Sequence, residues 1–156
     1  MNGRVEDRHA IERQVYALGQ LIDDADPDSW AAIFTQDGVT EAVMVGHSEP
    51  FSRQQGTDEL RAFAQVIAQA IADGDRGPSL HHLTGLVFDE LDAESATTRA
   101  MVLVTVQPDE TSEPLVLTHG LYHDKWRNTA EGWRLAHRRY TAYGYRKPPA
   151  AALTDR

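Results

Sequence analysis

The chain has 156 residues, 41% hydrophobic and 25% charged, with no cysteine and a formal net charge of −9 from 24 acids against 15 bases. That composition fits an ordinary globular protein with one substantial core, and it excludes disulfides, thiol nucleophiles and thiolate metal sites. No apolar run approaches the roughly 20 residues of a bilayer crossing, and net acidity argues against nucleic acid as a partner.

The opening MNGRVEDRHAIERQ is charged and lacks the apolar stretch of a secretory signal, so a cytoplasmic location with no membrane contact is expected. Ile11, Val15, Leu18 and Ile22 then recur at helical spacing and predict an amphipathic helix over about 7–24. Asp26-Pro27 reads as an N-cap with proline in the first helical position. It opens a short helix with Trp30, Ile33 and Phe34 on one face, which Asp37-Gly38 ends in a turn. Residues 39–45 read as a strand, and the polar, proline-interrupted stretch 46–56 as a loop. A third helix is expected over 57–72, where Leu60, Phe63, Ala64, Ile67, Ala68 and Ile71 form an apolar stripe.

Beyond the linker ADGDRGPS the character changes to strands, over about 80–91, 96–107, 115–128 and 132–143. The stretches DAES, QPDETSEP and NTAEG separate them as turns. Consecutive strands with short connections predict an antiparallel meander. Helices preceding such a sheet give an α+β domain with the helices on one face. One domain over residues 1–145 is expected, followed by a mobile tail. Arg134, Arg138, Arg139, Arg146 and Lys147 form the only local basic cluster.

Asp23, Asp24 and Asp26 crowd the end of the first helix, where carboxylates oppose the dipole by about 0.3–1 kcal/mol each. Asp26 is explained as a cap. At about 100° per residue, Asp24 points away from the apolar face and is a solvated acid. Asp23 lies on the flank shared with Tyr16, with Gly19 between them. That position suits either a cavity-lining carboxylate or a half-exposed acid near a helix end.

His81 and His82 open the first meander strand and alternate to opposite faces, so at most one points inward. A neutral histidine facing a carboxylate is suited to proton transfer. A lone strand histidine is more often structural. His119 and His123 share a strand face, but i and i+4 on a strand are about 13 Å apart, too far to share a metal ion. His9, His47 and His137 show no constellation. With no His-Glu-x-x-His element, no phosphate-cradling glycine loop and no Gly-x-Ser-x-Gly elbow, neither a metal nor phosphoryl or serine chemistry is expected.

The stretches AIERQVYALGQLIDDADPDSWAAIFTQDGV, GTDELRAFAQ, HHLTGLVFDEL and GLYHDKWRNTAEGWRLAHRRY together resemble the SnoaL-like branch of the nuclear transport factor 2-like superfamily, over about residues 7–143. The resemblance implies a cone: a curved antiparallel sheet wrapped around three N-terminal helices, with an apolar pocket inside. In dehydratase-like members an Asp of the first helix faces a His opening the first long meander strand. Those positions match Asp23 and, by spacing from Gly85, His81; a one-residue shift selects His82. Two departures stand out. A Tyr five residues before the Asp is replaced by Leu18, so Tyr16 would substitute. A polar residue on the second meander strand is missing, with Val102, Val104 and Val106 nearby, leaving His119 or Tyr122 to supply a third polar group.

The expected function is a cofactor-independent lyase or isomerase, dehydratase- or cyclase-like, with Asp23 and His81 as its acid–base pair. The substrate would be a small cyclic apolar or polycyclic molecule. Tyr122, Tyr16 or His119 would donate to a developing enolate. Trp30, Phe34, Phe63, Val104 and the flanking His82 complete the expected binding residues. The alternative is a non-catalytic binding or assembly module of the same fold; a small oxygenase subunit needing a partner chain is a third reading. The resemblance further implies a homodimer formed through the outer face of the sheet.

Overall fold

The computed structural model describes residues 2–145; the predicted tail, with Arg146 and Lys147, lies outside the described residues. The first helix, α1 (Asn2–Asp23), begins five residues earlier than its apolar spacing indicates and buries Ile11, Val15, Leu18 and Ile22. It stops through Ala25, which takes a left-handed φ of 57°, while the Asp26 amide reaches back to the Leu21 carbonyl at 2.9 Å. Asp26 then caps α2 (Pro27–Ala32), accepting from the Ser29 amide at 3.1 Å. Hydrogen bonds from Ser29 hold its carboxyl below the usual range.

The chain leaves helix sooner than expected. Strand β1 spans Phe34–Met44, so Asp37 and Gly38 lie inside a strand rather than in a turn. The Leu135 amide bonds the Ile33 carbonyl at 2.9 Å, so pairing with the distant C-terminal strand overrides the local helical pattern. A Cβ on Gly38 would stand 2.9 Å from both the Phe34 Cβ and the Thr35 carbonyl oxygen, and the register shifts here, between Phe34 and Val39. The predicted loop 46–56 contains a short strand, β2 (Ser52–Gln55), too brief to carry a period.

Helix α3 (Thr57–Ala72) matches its predicted span. The strands β3 (Ser79–Leu91), β4 (Ser95–Val106), β5 (Leu115–Thr129) and β6 (Gly132–Tyr145) match theirs to within two residues. They form the expected meander in a curved, unclosed six-stranded sheet of order β2-β1-β6-β5-β4-β3. One seam departs from the antiparallel expectation: β1 and β6 run parallel, with Thr40 opposite Arg138 and Ala42 opposite Tyr140. A parallel pair needs a long crossover, which β2, α3 and the meander supply.

The helices fill the concave side. Their apolar faces meet Trp126, Trp133 and Leu135 from the last two strands in one core, with Leu83, Leu86, Phe88 and Leu91 of β3 packed against it. Among the described residues no helix is long and apolar enough to cross a membrane.

Candidate functional site

A cavity of about 370 Å³ opens between the helices and the concave sheet. Leu18, Gly19 and Ile22 of α1, Trp30 of α2, and Phe63 and Ile67 of α3 form its helical side. Val104, Leu117, Thr118, Tyr122, Arg138 and Tyr140 form the sheet side, with His81 and Arg76 at the edge between them. A mostly apolar wall with a few convergent polar groups is typical of a small-molecule site.

At that edge the last turn of α1 meets the first residues of β3. Oδ1 of Asp23 lies 2.6 Å from Nδ1 of His81, and Oδ2 accepts the His81 backbone N–H at 2.7 Å. Ser79 donates to Oδ1 at 3.3 Å, and Arg76 donates to the Ser79 hydroxyl at 3.1 Å. The side chains of His81 and Asp23 are 15% and 9% exposed, so water competes little for either. Gly19 permits this approach: a Cβ there would sit 3.1 Å from the Cβ of His81 and 3.2 Å from Leu83 Cδ1. The gap on the helix wheel is therefore filled by β3. An ionised Asp23 only accepts, so Nδ1 of the neutral ring carries the proton and Nε2 keeps its lone pair.

The sheet side holds a second polar group. Arg138 donates from Nε and Nη2 to the two oxygens of Asp124 at 2.9 and 2.7 Å, with side chains 7% and 2% exposed. Burial disfavours the charge on Arg138, but the Asp124 charge and hydrogen bonds outweigh it and raise its proton affinity. The guanidinium lies 3.9 Å above the Tyr122 ring, a cation–π contact, and the Tyr140 ring is 5.3 Å from Tyr122. Thr118 donates to the Gly144 carbonyl at 2.6 Å, so Tyr140 donates its own proton to the Thr118 oxygen at 2.5 Å. Tyr140 is thus committed. Tyr122 is not: among the described residues nothing hydrogen-bonds its phenol, which lines the cavity. Burial pushes Tyr122 up to about 12, Arg138 opposes the shift, and the Asp124 and Asp23 charges add to it. Its phenol is a neutral donor at any ordinary pH.

Of the residues singled out from sequence, His81, Trp30, Phe63, Val104 and Tyr122 line the cavity, and Asp23 stands behind His81, bonded to its ring. Four others lie elsewhere. Tyr16 is 40% exposed and does not line the cavity, since the sheet ends at β3. Phe34 is buried behind Trp30, ring centroids 4.8 Å apart. His82 faces outward and bonds Thr105 Oγ1 at 3.0 Å. His119 is exposed on the outer face, its ring 6.1 Å from that of Tyr143. The basic cluster also divides, with Arg138 inside and Arg139 paired to Glu41 at 2.7 Å on the opposite face. Arg76, Ser79, Thr118, Asp124, Arg138 and Tyr140 were not singled out as site residues from sequence. Among the described residues no group of three or more His, Asp or Glu is placed to hold a metal ion.

The sequence profile of the SnoaL-like domain matches residues 3–139. The chain belongs to the SnoaL-like family. Solved structures agree on the fold, beginning with an NTF2-like protein of cystatin-like fold from Novosphingobium aromaticivorans. It is 23% identical with a TM-score of 0.71, over 88% of this SnoaL-like chain and 82% of its own. A candidate scytalone dehydratase from the same organism is 19% identical with a TM-score of 0.73, over 99% and 100%. The β subunit of a candidate aromatic-ring-hydroxylating dioxygenase from that organism is 16% identical with a TM-score of 0.76, over 94% of each chain. No functionally curated protein matches this SnoaL-like chain. Identities this low speak for fold, and the fold hosts many activities.

Proposed function

We propose that this SnoaL-like protein is a cofactor-independent lyase or isomerase that moves a proton on a small, cyclic, largely apolar substrate. The carrying observation is the 2.6 Å contact between Asp23 and His81 at the wall of an apolar cavity. In this reading His81 Nε2 takes a proton from carbon beside a substrate carbonyl. Asp23 orients the ring and stabilises the imidazolium that forms. Tyr122 donates to the oxygen on which charge develops. The imidazolium then returns the proton to another carbon or to a leaving hydroxyl. Acid–base help of this kind is worth roughly 10²–10⁴ in rate.

The test needs no natural substrate. In D2O, 2-tetralone, an enolisable bicyclic ketone, should exchange its α-protons faster with the wild-type protein, as read by proton NMR. Asp23→Asn and His81→Gln should lose that acceleration and keep affinity for the ketone. Wild-type binding without exchange would sink the reading.

That outcome would favour a binding module, for which one observation speaks. Around the position opposite His81 the inward residues of β4 are Val102, Val104 and Val106, buried and apolar, so the strand adds no acid or base there. In either case we infer a homodimer, since Leu80, Met101, Leu103, Val116 and Tyr143 leave 38–61% of their surface exposed. A hydrophobic face of that kind favours a partner. Sedimentation should give twice the 17.4 kDa chain mass, and Leu103→Glu should give the monomer.

A further inference from the structure

We propose that Ser79, itself oriented by Arg76, is a positioning residue that anchors the Asp23 carboxylate from outside His81 and so holds the Asp23–His81 pair in its orientation. The inference rests on the acid–base reading for its purpose, but its geometry stands apart from any substrate.

The argument starts at Arg76. A guanidinium has five N–H donors and no acceptor, so in the 3.1 Å contact between Nη2 and the Ser79 oxygen the serine accepts. A serine hydroxyl has one proton. With its lone pair turned toward Arg76, that proton is directed along the 3.3 Å contact to Asp23 Oδ1. The His81 backbone amide, also only a donor, holds Oδ2 at 2.7 Å. Both carboxylate oxygens are therefore engaged as acceptors before the imidazole is considered. An ionised carboxylate donates from neither oxygen, so the neutral ring takes the tautomer with its lone pair at Nε2, and Ser79 adds the contact on that carboxylate that does not come from His81.

The backbone holds this chain of donors in place from both ends. Ser79 and His81 are alternate residues of β3 and share its inner face. Ser79 is 3% exposed, so water does not substitute for its hydroxyl. Arg76 sits in the turn after α3, where its amide bonds the Ala70 carbonyl at 3.0 Å. The next residue, Gly77, packs so closely that a Cβ would lie 2.0 Å from the Gln107 carbonyl oxygen, and the Gln107 amide bonds the Pro78 carbonyl at 2.9 Å. The segment between helix and strand is pinned, and the serine approaches Asp23 from a fixed direction. Without Ser79, both Asp23 oxygens are held, among the described residues, by His81 alone through Nδ1 and its backbone N–H, and no contact from outside His81 sets the carboxylate's orientation.

The experiment is long-range nitrogen–proton NMR of the His81 ring, with the tetralone exchange assay run beside it. Wild type should show Nδ1 protonated and Nε2 bare. Ser79→Ala should collapse this toward the averaged signal of a freely exchanging imidazole, lower kcat for exchange about five- to twentyfold and leave KM within twofold. Ser79→Thr, which keeps the hydroxyl, should restore both, and Arg76→Gln should give a smaller version of the alanine effect. An unchanged ring pattern in Ser79→Ala overturns the proposal, as does a rise in KM with kcat intact, which would make Ser79 a substrate contact. If no variant or wild type catalyses exchange, the acid–base reading fails while the ring pattern still decides the role of Ser79.

Discussion

Replacing Asp124 by asparagine keeps the shape of the side chain and removes its charge, leaving Arg138 buried without a counter-ion. The pair is bidentate at 2.9 and 2.7 Å with 7% and 2% of its side chains exposed. Breaking such a pair from one side costs about 3–5 kcal/mol, because the surviving charge is not resolvated. The asparagine oxygen still accepts one N–H, which places the expected loss near 3 kcal/mol. At roughly 2–4 °C per kcal/mol for a chain of this length, Tm should fall by about 6–12 °C. Urea unfolding followed by circular dichroism gives the free energy directly, with an unchanged m-value showing that the denatured state is unaffected. The double change Asp124→Leu with Arg138→Met should recover most of the loss, since apolar replacement of a whole buried pair is often neutral or stabilising. A cost under about 1 kcal/mol for Asp124→Asn would refute the reasoning: that is the value of an exposed pair, and the floor of the cavity would then be wet.

In an alkaline titration followed at 295 nm, one of the five tyrosines should ionise only near pH 12, and Tyr122→Phe should remove that component. The native protein holds that proton more tightly than the unfolded chain does. Stability is accordingly undiminished by this group below about pH 10 and declines from there toward 12. Asp26→Ala should cost about 1 kcal/mol in urea unfolding through loss of the α2 cap. Gly77→Ala forces a Cβ against a backbone carbonyl at 2.0 Å and should cost at least about 2 kcal/mol, with loss of the His81 ring pattern as β3 is displaced.

Most of the architecture was legible because it is written in periodicity. The stripe on α3, the cap at Asp26 and the turns of the meander are local signals, and each was recovered. The pairing of Asp23 with His81 follows from a resemblance, and the two side chains are in contact. What periodicity does not carry is partnership. The parallel seam joins segments far apart in sequence, and nothing in Phe34–Gly38 announces that β6 will claim it. The inward turn of Arg138 was hidden for a related reason. An unbroken register from the Thr129–Gly132 pair would set it opposite His123. The irregularity between Lys125 and Trp126 moves it opposite Asp124 and faces it inward. Tyr16 shows the converse failure: a helix wheel gives direction but not whether anything lies there.

The parallel seam also has a kinetic side. Glu41 and Arg139, neighbours across it, are 98 positions apart, so β1 finds its partner only after a long loop closes, and that closure comes with an entropic cost not repaid until the strands register. During synthesis β6 must clear the ribosome before it can dock. Until then β1 and β2 are a two-stranded ribbon, marginal in water by itself, and Trp30 of α2 and Phe34 of β1 lack the Leu135 with which they share a core. Arg138 and Tyr140, the floor of the cavity, arrive on the same last strand. The pocket therefore comes into being only when β6 docks, and a chain halted before β6 would present its core rather than its site.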